Sequence, residues 1–289
     1  MGYSEECRKY FKRTFNREYS RNLGTRTSLS AKKNAELFAQ KKAMQKTLIY
    51  GIEKFYPGNT VRDIWEAIRR AHIQQKIGAS YGKRIVLDDA VAENIFAAFQ
   101  SWDKASGHAF EEYIPQVLNT ILQPYHISVV LQKDLTAMLN STSTVIFNNA
   151  EQIEWLREQV VLNVFDLYAI QELNGEKYVF GCLQSKTSIR DRVTRDREPS
   201  IQAMEKRFWS VGVTLNGDFF KNQKFQNMVN GGTTSYPKNG WHGMYVIESP
   251  FYGQRIFEFE KFAEHAVKAA RTWRSDHESL DNTWNPSVM

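Results

Sequence analysis

The chain is poor in cysteine. The two it has, Cys7 and Cys182, stand far apart in unlike surroundings and belong to no Cys-x-x-Cys pair. This disfavours a disulfide framework and a structural zinc site. No apolar run approaches the roughly 20 residues that cross a bilayer, so no membrane partner is expected. No Gly-x4-Gly-Lys-Ser/Thr phosphate loop is present, and no serine sits in a nucleophile-elbow context. His242 stands apart from other metal-ligating residues and reads as a structural residue or a nucleic-acid contact. Internal repeats and low-complexity linkers are absent too. The first residues, GYSEECRKYFKR, are polar and charged rather than apolar, so a signal peptide is not expected and the setting is read as reducing, soluble and intracellular.

Positive charge is plentiful and uneven. The formal net charge is +6, yet residues 1–50 alone carry twelve Lys and Arg against four acids, a surplus of +8. Charge concentrated in this way suits a polyanion such as DNA or RNA. A solvated basic helix pair that binds nothing is the plainer alternative.

The pattern of apolar residues predicts helices over 28–56, with Ser30 as a candidate cap, and over 60–76, 88–102 and 110–122. After Pro124 the character changes. ISVVLQ (127–132) and TVIFNN (144–149) read as strands, and 150–159 reads as a short helix. VLNVFDLYAIQ and EKYVFGCLQSK flank Asn174-Gly175 as a hairpin. Pro199 and Ser200 open a helix over 201–208, strands follow at 211–216 and 243–249, and a last helix covers 258–274. The order is mixed α/β. Two regions are expected: residues 1–120, helical and basic, for DNA binding or dimerisation, and residues 121–289, a catalytic core.

Asp166 falls within an apolar strand pattern, where an ionised carboxylate needs a partner or a cation. Gln184 and Lys186 share one face of the next strand, because strand side chains alternate. A two-residue Asn174-Gly175 turn would set Asp166 opposite Leu183, on the other face. A three-residue loop would set it opposite Gln184. If the three residues meet, Asp166 and the Gln184 side-chain oxygen are ligands for a hard cation such as Mg2+, and Lys186 can offset negative charge on a phosphate. Glu205 is the candidate further carboxylate, with Glu158 and Glu154 as competitors.

Asp166, a hairpin and Gln184-x-Lys186 together resemble the PD-(D/E)xK nuclease signature, with glutamine in place of the second acid and Phe165 in place of proline. The run Lys186-Thr187-Ser188-Ile189-Arg190-Asp191-Arg192 resembles a segment of type II restriction endonucleases, a subset of which reads CCGG-containing sites. The resemblance spans about residues 145–215. It implies a restriction-endonuclease-like central mixed sheet flanked by helices, in a prokaryotic cytoplasmic enzyme. Such an enzyme acts as a homodimer, or a tetramer of two dimers, and cuts both strands of duplex DNA with Mg2+ to leave 5′-phosphate ends. Asp166, Gln184 and Lys186 take the catalytic positions, and Glu205 replaces the missing strand acid. Arginine can read guanine bidentately and aspartate can accept from cytosine, so Arg190, Asp191 and Arg192 are the candidate base readers. Arg195 and Arg197 are candidate phosphate contacts. Lys238, in the polar loop 230–243, is a further candidate DNA contact. A less specific nuclease of the same superfamily and a non-enzymatic duplex-DNA binder are the alternatives.

Overall fold

A computed structural model describes residues 2–81, 89–142, 144–188 and 193–288. The chain divides into two compact units between residues 113 and 114.

The first unit is helical: α1 (Tyr3–Leu23), α2 (Leu29–Phe55), α3 (Val61–Tyr81) and α4 (Asp89–Leu122), the last continuing into the second unit. On α1 the residues Cys7, Phe11, Thr14, Phe15 and Glu18 are buried, a 3–4 spacing that gives the helix one inward stripe. Gly51 of α2 lets α3 approach closely: a Cβ there would lie 2.5 Å from Ile64 Cγ2. Ser28, not Ser30, caps α2. It holds the extended conformation before the first turn, and its hydroxyl accepts from the Ala31 amide at 3.2 Å. The helices expected at 88–102 and 110–122 are one. Ala98, Trp102, Ala105, Ala109 and Tyr113 are all buried, so the helical period runs unbroken past Gly107.

The second unit is built on a six-stranded mixed sheet, in sequence order across its width. Along the chain come β1 (Ile127–Leu131), α5 (Gln132–Asn140), α6 (Ala150–Val161), β2 (Leu167–Leu173), β3 (Glu176–Ser188), α7 (Val193–Glu205), β4 (Trp209–Asn216), α8 (Gln223–Asn230), β5 (Gly243–Glu248), β6 (Ile256–Glu258) and α9 (Phe262–Ser275). The pairs β1–β2 and β2–β3 are antiparallel, and β3 to β6 run parallel. One face of the sheet packs Tyr168 and Cys182 against Trp155, Leu156, Ala203 and Phe208, and Met244 and Val246 against Phe220, Met228 and Trp241. On the other face Trp209 stacks on Phe180 and meets Phe262 of α9 edge-on. Helices therefore cover both faces of a sheet whose parallel half is buried.

Two elements differ from the sequence pattern. Residues 144–149 form no strand; only Ile146 bridges to Lys177, and the Asn148 side chain takes up the β3 backbone at Val179. The helix expected to open at Pro199-Ser200 begins at Val193, with Pro199 inside it. Ser200 is not a cap: it is buried, and its hydroxyl meets that of Ser210 at 2.7 Å.

The hairpin settles its register by a route the sequence pattern does not reveal. Asn174 and Gly175 form a two-residue turn, both with positive φ (53° and 83°), and Leu173 faces Glu176. A bulge then intervenes. Ile170 pairs with Val179 but Ala169 pairs with Gly181, so Phe180 is the extra residue. Beyond it Leu167 faces Leu183. The bulge supplies the residue that the short turn lacks, and Asp166 is not sent to the opposite face.

Candidate active site

Asp166 stands at a bend just before β2 rather than inside the strand. Its amide donates to the Leu183 carbonyl at 3.0 Å. Its Oδ2 accepts from the Ser185 amide at 2.7 Å and from Lys186 Nζ at 3.1 Å. Lys186 Nζ also lies 3.8 Å from Asp196 Oδ2, in the first turn of α7. One ammonium thus sits between two carboxylates, and all three side chains keep partial access to solvent (26%, 22% and 17% for Lys186, Asp166 and Asp196). Such a group can meet a ligand from outside while staying fixed from within.

Gln184 is on the same face of β3 as Lys186 but is only 3% exposed. Its Oε1 accepts from the Trp241 indole N–H at 2.8 Å, and its Nε2 donates to the Asp196 carbonyl at 2.9 Å. Both ends of the amide, expected to supply a metal ligand, are engaged with protein. Across the sheet Gln184 pairs with Gly212, where a Cβ would fall 2.4 Å from Met244 Sδ and 4.0 Å from Trp241 Nε1. The space that a side chain at 212 would need is taken by the Met244 thioether.

Glu205 lies at the opposite end of α7 from Asp196. Nine residues separate them, about 13 Å along the axis. Its carboxylate pairs with Lys238 Nζ at 3.0 Å, and both side chains are more than half exposed. Glu158 and Glu154 lie on α6. Arg195 is exposed at the start of α7. Arg197 is turned onto protein: its guanidinium donates to the carbonyls of Met228 (3.2 Å) and Lys238 and lies over the Tyr236 ring. Burial lowers its pKa from the ordinary arginine value. Arg197 thereby ties α7 to the loop after α8. Arg190, Asp191 and Arg192 lie outside the described residues.

Asp196 escaped the sequence reading. Its signal is an acid in the first turn of a helix that follows the strand lysine, but a helix that opens at Pro199 puts it in a loop. His242 has a structural place. Its Nδ1 accepts from the Ser210 amide (3.0 Å) and its Nε2 meets the Asp281 carbonyl (2.6 Å), so the neutral ring carries its proton on Nε2.

The donor chemistry bears on a cation. Asp166 and Asp196 are hard oxygen ligands, and Mg2+ commonly takes one or two carboxylates together with water and substrate phosphate. This set fits Mg2+ better than a metal that demands several nitrogen or sulfur ligands. Among the described residues no group of three or more His, Cys, Asp or Glu is placed to hold a metal ion by itself.

The chain as a whole is similar to known proteins. The model of a family described as "BsaWI restriction endonuclease type 2" matches residues 145–279, a span that contains Asp166, Gln184, Lys186 and Asp196. A crystal structure of the restriction endonuclease BsaWI in a pre-specific complex with DNA is 39% identical, with 99% of this chain and 98% of that chain covered and a TM-score of 0.66. The chain belongs to the BsaWI family of type II restriction endonucleases. A structure of the restriction endonuclease AgeI bound specifically to DNA shares the fold at 16% identity, with 90% and 91% covered and a TM-score of 0.55. No curated protein matches the chain. The mixed sheet between helices, preceded by a helical N-terminal part, is therefore the restriction-endonuclease fold of this family.

Proposed function

We propose that this family member hydrolyses one phosphodiester bond in each strand of duplex DNA at a short palindromic sequence containing CCGG, using Mg2+ and leaving 5′-phosphate ends. The observation that carries the reading is the contact of Lys186 Nζ with Asp166 Oδ2, 3.1 Å apart, with the Asp196 carboxylate 3.8 Å from the same nitrogen. The two carboxylates would hold Mg2+, which when bound supplies Lewis-acid polarisation and charge neutralisation at the phosphate. Lys186 stands beside them as a point charge for the phosphate oxygens as negative charge builds on them. Water oxygen attacks phosphorus, the bond to the 3′ oxygen breaks, and the proton ends on that oxygen.

Gln184 serves this site through the carbonyl of Asp196, which its amide N–H holds. The segment Arg190-Asp191-Arg192, between β3 and α7, is the base reader by its chemistry: arginine for guanine O6 and N7, aspartate for cytosine N4. Arg195 and Lys238 are phosphate contacts. Residues 1–120 contribute non-specific DNA affinity or dimer contacts, and 121–289 form the catalytic core. A homodimer matches a palindromic site, since each protomer then meets one strand. The relatives' crystal complexes with DNA support the substrate class.

The test is incubation of the purified protein with a long duplex of diverse sequence, with Mg2+ and with EDTA, followed by mapping of the ends. Discrete Mg2+-dependent fragments sharing one short CCGG-containing sequence are expected. A smear would remove the specificity, and tight binding without cleavage in any divalent metal would remove the enzymatic reading.

A further inference from the structure

Helix α1 has an outer face with an unusual charge pattern. Lys9, Arg13, Arg17 and Arg21 follow one another at four-residue spacing, Arg8 and Lys12 stand beside them, and all six are exposed. Successive members of the row are about 6 Å apart along the axis. Like charges four apart on a helix destabilise it by a few tenths of a kcal/mol per pair, so local stability does not account for the row.

The acids of α1 do little to balance it. Glu6 is taken by Lys54 (2.5 Å) and Tyr50 (3.0 Å), and Glu18, buried, by Lys46 (2.8 Å) and Arg17 (3.3 Å). Glu5 pairs with Lys9 at 3.0 Å. Two of the three carboxylates are thus met by lysines of α2. Among the described residues Arg8, Lys12, Arg13 and Arg21 have no ion pair; Arg13 lies over the Tyr10 ring.

A membrane surface does not suit this helix. An interfacial helix needs an apolar face free to enter lipid. The apolar stripe of α1, Cys7, Phe11 and Phe15, is buried, and only Asn16 and Ser20 interrupt the outer cations.

We propose that the outer face of α1 is a sequence-independent binding strip for the phosphate backbone of duplex DNA. This rests on the nuclease reading and deepens it by naming a surface outside the candidate active site. Its contribution is electrostatic, through release of counterions, and carries no base information. It raises the affinity of the enzyme for DNA lacking the recognition sequence.

The experiment uses the full-length protein, a duplex without CCGG, and EDTA in place of Mg2+, so that no cleavage enters. Binding is titrated across a range of salt concentrations for the wild type and for the variant Arg8→Gln/Lys12→Gln/Arg13→Gln/Arg21→Gln. These substitutions strand no carboxylate, and glutamine keeps helix propensity. The plot of log K against log salt should become shallower by about 0.9 for each phosphate that the variant no longer neutralises, or roughly 3.6 if all four side chains take part. An unchanged slope overturns the inference while leaving the nuclease reading standing. Absence of any binding of this duplex by the wild type also overturns the inference, while the nuclease reading stands or falls separately on the Mg2+-dependent mapping of ends. Should the variant misfold by circular dichroism, amine-reactive labelling of the wild type decides: Lys12 is expected to be protected by duplex DNA, and equal labelling with and without DNA overturns the inference.

Discussion

The indole N–H of Trp241 donates to the side-chain oxygen of Gln184 at 2.8 Å, and the same glutamine donates to the carbonyl of Asp196 at 2.9 Å. A tryptophan before β5 thereby fixes the first turn of α7, whose carboxylate lies beside Lys186. Trp241 is 1% exposed and Gln184 is 3% exposed, so water cannot replace either bond. Trp241→Phe should lower stability by roughly 1–3 kcal/mol, the cost of an oxygen left buried without a donor, and should slow cleavage. Chemical denaturation and a single-turnover assay measure both. A variant with wild-type stability would mean that the amide oxygen finds another donor.

Gln184→Glu tests the same residue through its charge. The carboxylate would lose the donation to the Asp196 carbonyl and set two oxygens against each other in a buried place. Its pKa in the folded state should therefore be raised. A raised folded pKa means that the protonated form is favoured, so stability is retained at low pH and falls as pH rises above the unfolded value of about 4.3. The difference in denaturation midpoint between variant and wild type should grow from pH 4 to pH 7. A gain in Mg2+ affinity with no loss of stability would instead place residue 184 among the ligands.

Lys186→Met should abolish cleavage and leave Mg2+-free binding to the recognition duplex within about tenfold, since it removes a single charge from the phosphate site. Gel shift in EDTA and cleavage in Mg2+ separate the two. Full nicking activity in the variant would sink the role given to Lys186.

The two ends of α7 can be told apart. Asp196→Asn should reduce cleavage by orders of magnitude, whereas Glu205→Gln should keep it near wild type, because Glu205 is engaged with Lys238 on an exposed surface. Exposed pairs of this kind contribute about 0–1 kcal/mol. The reverse pattern would return Glu205 to the metal site.

The mixed α/β order and the strand carrying Gln184 and Lys186 were legible in the sequence because alternating apolar residues and the Asn-Gly turn are local signals. The meeting of Asp166 with Lys186 was not. It depends on the bulge at Phe180, and the extra residue is chosen by packing: Phe180 is fully buried and stacks on Trp209. Nothing near it in the chain marks it as unpaired. Asp196 was hidden for a similar reason. Pro199 reads locally as a helix start, yet the helix runs through it, with the adjacent Ser200 bonded to Ser210 of β4. The partners of Gln184 are also distant, with Trp241 57 residues away, and a strand pattern says nothing about them.

Buried histidines couple the stability of the fold to acid. His242 is fully buried, and burial pulls its pKa from 6.5 to about 3, while His265, packed against Tyr245, is lowered to about 4. The unfolded chain takes up a proton near pH 6.5, but the native site resists it until near pH 3. The unfolded state therefore binds more protons through this window, and stability rises with pH across it. The contribution of the neutral ring is complete above about pH 6.5 and is lost as pH falls toward 3, at roughly 1.4 kcal/mol per unit for one such group. Urea denaturation between pH 7 and 4 should show a falling midpoint. His242→Asn, lacking the titrating ring, should be less stable at pH 7 because it disturbs the bonds to Ser210 and Asp281, but its midpoint should fall less steeply with acid. An identical slope in the two proteins would mean that the ring is already charged, or that its site opens before it titrates.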